Sequence, residues 1–106
     1  MPNEANQQSL PRLVFRTEPY DELYFEGKGW FAECDIVDSN DNVYYVTFMT
    51  PARIALELES EARKNGACAL VEPGLIVVRD MKRKTLEAAI QLVWETERWY
   101  FSDRSL

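Results

Sequence analysis

The chain of 106 residues contains no histidine. This absence removes the commonest general base, the commonest metal ligand and every Ser-His or Cys-His nucleophile pair. The patterns G-x-G-x-x-G and G-x-x-x-x-G-K-[ST] are also missing, so no phosphate-binding nucleotide loop is predicted. Asp, Glu, Lys, Tyr or Cys could still support catalysis, but the sequence favours a non-enzymatic protein. We therefore expect no catalytic residues, no cofactor and no metal site.

Long apolar runs and cysteines are equally scarce. No window reaches the ~18 apolar residues of a membrane-spanning helix, so no membrane association is predicted. The first eleven residues have neither the basic region nor the apolar stretch of a secretory signal. The two cysteines, Cys34 and Cys68, occur in no metal-binding spacing. We expect a cytoplasmic protein in which both thiols are reduced and buried.

Basic residues are outnumbered, and the formal net charge is −6. Residues 1–42 carry nine acids and three bases, whereas acids and bases balance in the rest of the chain. This negative field disfavours nucleic acid as a partner, because nucleic-acid affinity depends mainly on neutralising phosphates. It is better suited to a basic protein. The basic run from Lys82 to Lys84 lies where a helix is predicted to begin, against the helix dipole, and is either an anion site or simply solvated.

The hydrophobic periodicity from Trp30 onward predicts one supersecondary unit written twice. An alternating strand, a turn, a second strand and a helix are followed by the same four elements. Thr50 and Pro51 are suited to begin the first helix, and Gly66 is suited to end it. Strands are predicted at residues 30–37, 43–49, 67–71 and 75–78, and helices at residues 51–64 and from just after Asp80 to about Phe101.

These elements predict an α+β fold of the order ββαββα. We expect a mainly antiparallel sheet of four to six strands with two helices on one face. The polar, aperiodic residues 1–11 are predicted to be a disordered tail, and residues 12–106 to form a single domain. Within the first third of the chain, residues 13–15 and 23–25 are predicted to form short strands.

The register of the first hairpin can be predicted from its apolar residues. A three-residue loop at residues 39–41 gathers the apolar residues of both strands on one face, whereas a two-residue loop mixes them with acids. The last residue of such a loop is usually left-handed, which Asp41 tolerates well. The cross-strand pairs predicted by this register are Ile36–Tyr44, Cys34–Val46 and Ala32–Phe48.

Each predicted helix has one apolar stripe that is expected to pack on the sheet. In the first helix the stripe is Ile54, Ala55, Leu58 and Ala62. In the second helix it is Leu86, Ala89, Ile90, Val93, Glu97 and Tyr100, flanked by Trp94 and Trp99. The aromatic end of the second helix is either core or an interface, since Trp and Tyr are enriched at interface hot spots.

The other face of the first hairpin is unusually apolar, with Glu33 and Asp35 as its only charged residues. A face open to water should be more polar than this. The face is therefore expected to be covered by the first third of the chain, to form a homodimer, or to bind a ligand or partner. The uncharged residues of this face are Phe31, Val37, Val43, Tyr45, Thr47 and Met49.

Two functional hypotheses follow from these patterns. The first is a small, acidic, non-enzymatic interaction protein that forms a homodimer through the sheet face around Phe31, Tyr45 and Met49. In that hypothesis four acids select a basic partner; they are Glu33, Asp35, Asp38 and Asp41. The alternative is a small-molecule binding protein, or a carboxylate- or tyrosine-dependent enzyme, with a pocket between the sheet and the N-terminal segment. The residues expected to line that pocket are Tyr20, Tyr24, Tyr45 and Glu33.

Overall fold

The computed structural model describes residues 11–66, 68–72 and 74–97, which form an α+β fold with three helices and two three-stranded sheets. The strands are β1 (Arg12–Phe15), β2 (Trp30–Phe31), β3 (Cys34–Val37), β4 (Val43–Tyr44), β5 (Thr47–Met49) and β6 (Leu75–Val77). The helices are α1 (Glu22–Lys28), α2 (Pro51–Asn65) and α3 (Arg83–Glu97).

The strands are arranged as β1-β3-β4 in one sheet and β2-β5-β6 in the other. All neighbours are antiparallel except β5 and β6, which are parallel because α2 connects them as a crossover. The predicted duplication and the single sheet of four to six strands are not confirmed. Residues 68–71 were expected to form a strand and form none, so the predicted second hairpin is replaced by the single strand β6.

The turn between β3 and β4 has the predicted three-residue loop. Ile36 lies opposite Tyr44, and Asp41 is left-handed with a φ of 63°. Farther from the loop the register moves by one residue, and Phe31 lies opposite Phe48. The chain thus carries one extra residue between β2 and β3, as in a β-bulge, and this residue reverses which side chains face the core.

Helix α1 occupies the segment where residues 23–25 were predicted to be a strand. The carboxylate of Asp21 caps its first turn by accepting a hydrogen bond from the Tyr24 N–H at 3.0 Å. Gly29 ends the helix in the left-handed conformation, with a φ of 69°, and its N–H donates to the carbonyl of Phe25. Asp before a helix and Gly after it are strong boundary residues, but a helix of seven residues is too short to display a helical periodicity.

The core of the protein joins both sheets to α1 and α3. Helix α3 contributes the buried residues Leu86, Ile90 and Trp94, with Ala89 and Val93 packed beside them. The predicted stripe of this helix is therefore confirmed as far as Val93. The side chain of Glu97 and all of Tyr100 lie outside the described residues.

Pro11 is the first described residue and is in contact with α3. Pro11 is buried, and its carbonyl accepts a hydrogen bond from the side-chain amide of Gln91 at 3.1 Å. Pro11 therefore belongs to the fold and not to the predicted tail, whose residues 1–10 lie outside the described residues.

Helix α2 has the predicted ends and an unexpected environment. Thr50 is its N-cap, Pro51 is in its first turn, and Gly66 is its left-handed C-cap. None of its residues is buried, so the prediction that its apolar stripe packs on the sheet is wrong.

Candidate functional site

The predicted sheet-face contact surface is largely internal. Phe31 is 0% exposed and Met49 is 1% exposed, and of the three central residues only Tyr45 is exposed. The aromatic rings of the first third of the chain cover Phe31: its ring centroid lies 5.6 Å from that of Phe15, 4.9 Å from that of Tyr20 and 4.6 Å from that of Phe25. Phe31 and Met49 are thus core residues, and the homodimer surface predicted around them is wrong.

The predicted ligand pocket is filled by the same rings. Tyr20 stacks on Phe25, and its hydroxyl donates to the carbonyl of Met81 at 2.7 Å. Burial, together with nearby acids, raises the pKa of the Tyr20 hydroxyl far above its usual value, so Tyr20 remains a neutral hydrogen-bond donor. Tyr24 and Tyr45 are exposed instead of facing a shared cavity with Tyr20.

Three of the four acids expected to select a basic partner form bonds within the chain: Asp35, Asp38 and Asp41. Asp35 pairs with Arg16 at 2.6 Å, and Asp41 pairs with Arg12 at 3.5 Å. Glu33 is exposed.

Asp38 organises the β3–β4 turn. Its carboxylate accepts hydrogen bonds from the backbone N–H groups of Asn40 and Asn42 and from the hydroxyl of Tyr44. Desolvation acts to raise the pKa of Asp38, but these hydrogen bonds and one from the side-chain amide of Asn42 outweigh it and lower the pKa. The role of Asp38 is therefore structural.

The aromatic cluster predicted at the end of α3 is only partly described. Trp94 is 3% exposed, and its ring meets that of Tyr44 edge-on with the centroids 5.1 Å apart. Trp94 is therefore a core residue rather than an interface residue. Trp99 and Tyr100 lie outside the described residues.

Arg83, the middle residue of the basic run at the start of α3, is paired with an acid from another segment of the chain. The guanidinium of Arg83 lies 3.0 Å from a carboxylate oxygen of Glu18 and 4.1 Å from the ring centroid of Phe15. The Arg83 N–H donates to Glu22 at 2.9 Å, and the Met81 N–H donates to Glu26 at 3.1 Å. Carboxylates thus occupy the place where an anion would bind, which offsets the unfavourable position of the bases relative to the helix dipole.

The two cysteines differ in their surroundings. Cys34 is 2% exposed, and desolvation raises the pKa of its thiol to about 12. Cys68 is exposed, so the expectation that both thiols are buried is wrong for Cys68. Its segment was predicted to be a covered central strand, and burial was inferred from that strand.

The most unusual surface of the protein is on α2. Ala55, Leu58 and Ala62, which we call the α2 stripe, are all exposed, with Leu58 37% accessible. The half-covered residues of the same helix include the charged Arg53 and Glu57, which pair with each other at 2.6 Å. Ile54, the remaining apolar residue of the predicted stripe, is also half-covered, so the covered side of α2 mixes charged and apolar residues, whereas the α2 stripe is exposed to solvent.

The orientation of α2 is fixed by contacts at its first turn. The Thr50 N–H donates to the carbonyl of Gly29 at 3.0 Å, and the guanidinium of Arg53 donates to the carbonyl of Lys28 at 3.1 Å. Arg53 lies about 140° to 180° around the helix from the α2 stripe, at 100° per residue. Because Arg53 is held against the end of α1, the α2 stripe faces away from the body of the protein.

A second apolar surface lies between β6 and α3. A groove of about 460 Å³ is lined on the strand side by Val77 and Arg79 and on the helix side by Lys84, Ala88, Ala89 and Leu92; we call it the β6–α3 groove. Val77 is 54% exposed and Leu92 is 68% exposed. Among the described residues that line the groove, the charged ones are Arg79 and Lys84, and both are basic.

The sequence patterns pointed to neither of these surfaces as a site. The apolar residues of α2 were recognised, but they were assigned to the core. Ala88 and Leu92 widen the apolar arc of α3 beyond the stripe that packs on the sheet, and this width was the available signal for the β6–α3 groove.

Residues 11–66, 68–72 and 74–97 contain neither a cluster of metal ligands nor a membrane-spanning helix. That part of the chain holds no group of three or more Cys, Asp or Glu residues placed to bind a metal ion, and none of its helices is long and apolar enough to cross a membrane. No protein-family model, curated protein or solved structure matches the chain. A function therefore has to be inferred from the residues of the chain itself.

Proposed function

We propose that this protein is a small, non-enzymatic, cytoplasmic interaction protein that self-associates through the α2 stripe. The observation that carries the proposal is a helix of fifteen residues with no buried side chain and with three of the four residues of its predicted apolar stripe exposed to solvent. Both described cysteines are free, which suits a reducing compartment.

The proposal is supported by the energetics of helices in water. An isolated helix of about 12–15 residues is only marginally stable, and most helices in proteins are stabilised by packing of an apolar face. Against the described residues, α2 buries no side chain completely, and Ile54 is the one apolar residue of the predicted stripe that is half-covered. A second molecule covering Leu58 would supply more of this packing: full burial of a leucine stabilises by about 1.5–3 kcal/mol, and Leu58, which is 37% exposed, has roughly a third of that still to gain.

A contact through α2 also suits the charge of the chain better than the predicted homodimer contact through the sheet face. Two copies of a protein with a net charge of −6 repel each other at long range. The excess acids lie in residues 1–42, whereas residues 43–79, which contain α2, carry equal numbers of acids and bases. Contact through α2 therefore avoids bringing the acidic parts of the two chains together.

The test is size-exclusion chromatography with light scattering at two protein concentrations. We expect a mass near twice 12.4 kDa for the wild-type chain at high concentration and a return to 12.4 kDa for Leu58→Glu. The matched control is Leu56→Glu, because Leu56 is 64% exposed and lies on the opposite side of α2. This control should associate like the wild type.

Two results would contradict the proposal. The first is a wild-type chain that stays monomeric at every concentration tested. The second is equal loss of association in both variants, which would mean that added charge anywhere on α2 is disruptive and that the α2 stripe has no special role. Circular dichroism of each variant would verify that α2 still forms.

A further inference from the structure

We infer that the α2 stripe of one chain binds in the β6–α3 groove of a second copy. In the same dimer, the α2 stripe of the second copy binds in the groove of the first; we call this double contact the reciprocal exchange. This inference rests on the proposed self-association and names the surface that receives α2. The two surfaces are both exposed, both apolar and both present on every chain.

The two surfaces have converse patterns of large and small side chains. The α2 stripe has one large side chain, Leu58, between the small side chains of Ala55 and Ala62, so a partner can approach the helix closely. The β6–α3 groove has the converse form, since Ala88 and Ala89 lie between the larger Val77 and Leu92. Leu58 is placed to enter the groove while the alanines of the two surfaces come into contact.

The charges of the two surfaces also match. Glu59 and Glu61 lie on opposite sides of the α2 stripe, at about 100° per residue. The β6–α3 groove has Arg79 on its strand side and Lys84 on its helix side. Glu59 is paired with Arg63 at 2.6 Å and Arg79 with Asp80 at 3.3 Å, so the charge match rests on Glu61 beside the stripe and Lys84 beside the groove.

A second copy is a better occupant than the chain's own helix. The first turn of α2 is held by the hydrogen bonds from Thr50 and Arg53 to the end of α1, and this anchor turns the stripe outward. The helix would have to break both bonds to turn Leu58 towards its own body. Reciprocal exchange between two copies leaves the anchors intact and closes at a dimer with twofold symmetry.

The experiment combines two variants of the full-length chain that are each defective on a different surface. Leu58→Glu damages the stripe and leaves the groove intact, whereas Leu92→Glu damages the groove and leaves the stripe intact. Each alone should be monomeric in light scattering at a concentration where the wild type is a dimer. An equimolar mixture should form a 1:1 complex, because the intact stripe of one chain meets the intact groove of the other. Leu23→Glu is the control, since Leu23 is 87% exposed on α1 and belongs to neither surface, and it should dimerise normally.

The outcomes separate this inference from the proposed function. If Leu92→Glu dimerises like the wild type, or if the two monomeric variants do not combine, the exchange is overturned. Loss of association in Leu58→Glu would still support a stripe-mediated contact in that case. If the wild-type chain is monomeric, both the exchange and the proposed function are overturned.

Discussion

Replacing Gly29 by alanine should destabilise the protein by more than replacing Gly66 by alanine does. Both glycines end helices in the left-handed conformation, with φ values of 69° and 65°. A residue with a Cβ atom pays about 1–2 kcal/mol there, and this cost is common to both sites. A Cβ at Gly66 would have no heavy atom within 4 Å, so the common cost is the whole effect.

At Gly29 a second cost is added. A Cβ there would lie 2.7 Å from the side-chain oxygen of Thr50 and 3.0 Å from the Cβ of Arg53, so the first turn of α2 has to move. That movement weakens the N-cap of α2, worth about 1 kcal/mol, and the hydrogen bond from the Thr50 N–H, worth about 0.5–1.5 kcal/mol. We expect Gly29→Ala to lower the free energy of unfolding by roughly 1.5–2.5 kcal/mol more than Gly66→Ala does.

Urea denaturation followed by circular dichroism would measure the difference, at a protein concentration low enough to keep both variants monomeric. Equal losses in the two variants would refute the reasoning. They would mean that the start of α2 is not anchored to the end of α1, and the outward orientation of the α2 stripe would lose its basis.

Three further predictions concern the core, the thiols and the turn. Phe31→Ala should lower the free energy of unfolding by about 3–5 kcal/mol, because Phe31 is 0% exposed. Tyr45→Ala should lower it by about 1 kcal/mol or less, because Tyr45 is 44% exposed. Similar losses in the two variants would contradict the assignment of Phe31 to the core. A thiol reagent at neutral pH should modify Cys68 in the folded protein and Cys34 only after unfolding, and rapid modification of both would be inconsistent with a Cys34 pKa of about 12. Because the folded-state pKa of Asp38 is lowered, its stabilising effect is present above the unfolded pKa of ~3.9 and is lost as the pH falls through the folded-state pKa. The wild type should therefore exceed Asp38→Asn in urea stability at pH 6 by more than it does at pH 3, and a constant difference would count against the role of Asp38 in the turn.

The features of the fold that were predictable are those set by local backbone chemistry. The ends of α2 were predicted from Thr50, Pro51 and Gly66, which act through their own capping groups and backbone preferences. The β3–β4 loop was predicted from the clustering of apolar residues and from the tolerance of Asp41 for a left-handed φ. These signals operate within a few residues and are visible in one sequence.

The features that were missed depend on contacts between distant segments. Phe31 and Ala32 are both apolar, and local pattern cannot decide which of them faces the core; the rings of Phe15, Tyr20 and Phe25 decide in favour of Phe31. Residues 67–71 have the composition of a central strand, but composition does not supply a neighbouring strand with which to pair.

The candidate surfaces were missed for a related reason. An amphipathic pattern predicts that a helix has an apolar face, and it does not say whether that face is covered by its own chain or by another molecule. Leu58 was therefore assigned to the core, whereas the anchoring of Arg53 to the end of α1 turns it outward. The β6–α3 groove needs residues from two elements, and the periodicity of each element alone does not show which of its faces are turned to a common groove.

The most direct test of the central claim, that a second molecule covers the α2 stripe, is amide hydrogen exchange of α2 as a function of protein concentration. A helix with no buried side chain should exchange rapidly in the monomer and become protected when a partner packs on it. We predict that peptides from residues 51–65 gain protection as the concentration is raised through the monomer–dimer transition, and that Leu58→Glu abolishes the gain. Exchange in α2 that is the same at all concentrations, in a wild-type chain that dimerises, would contradict the claim.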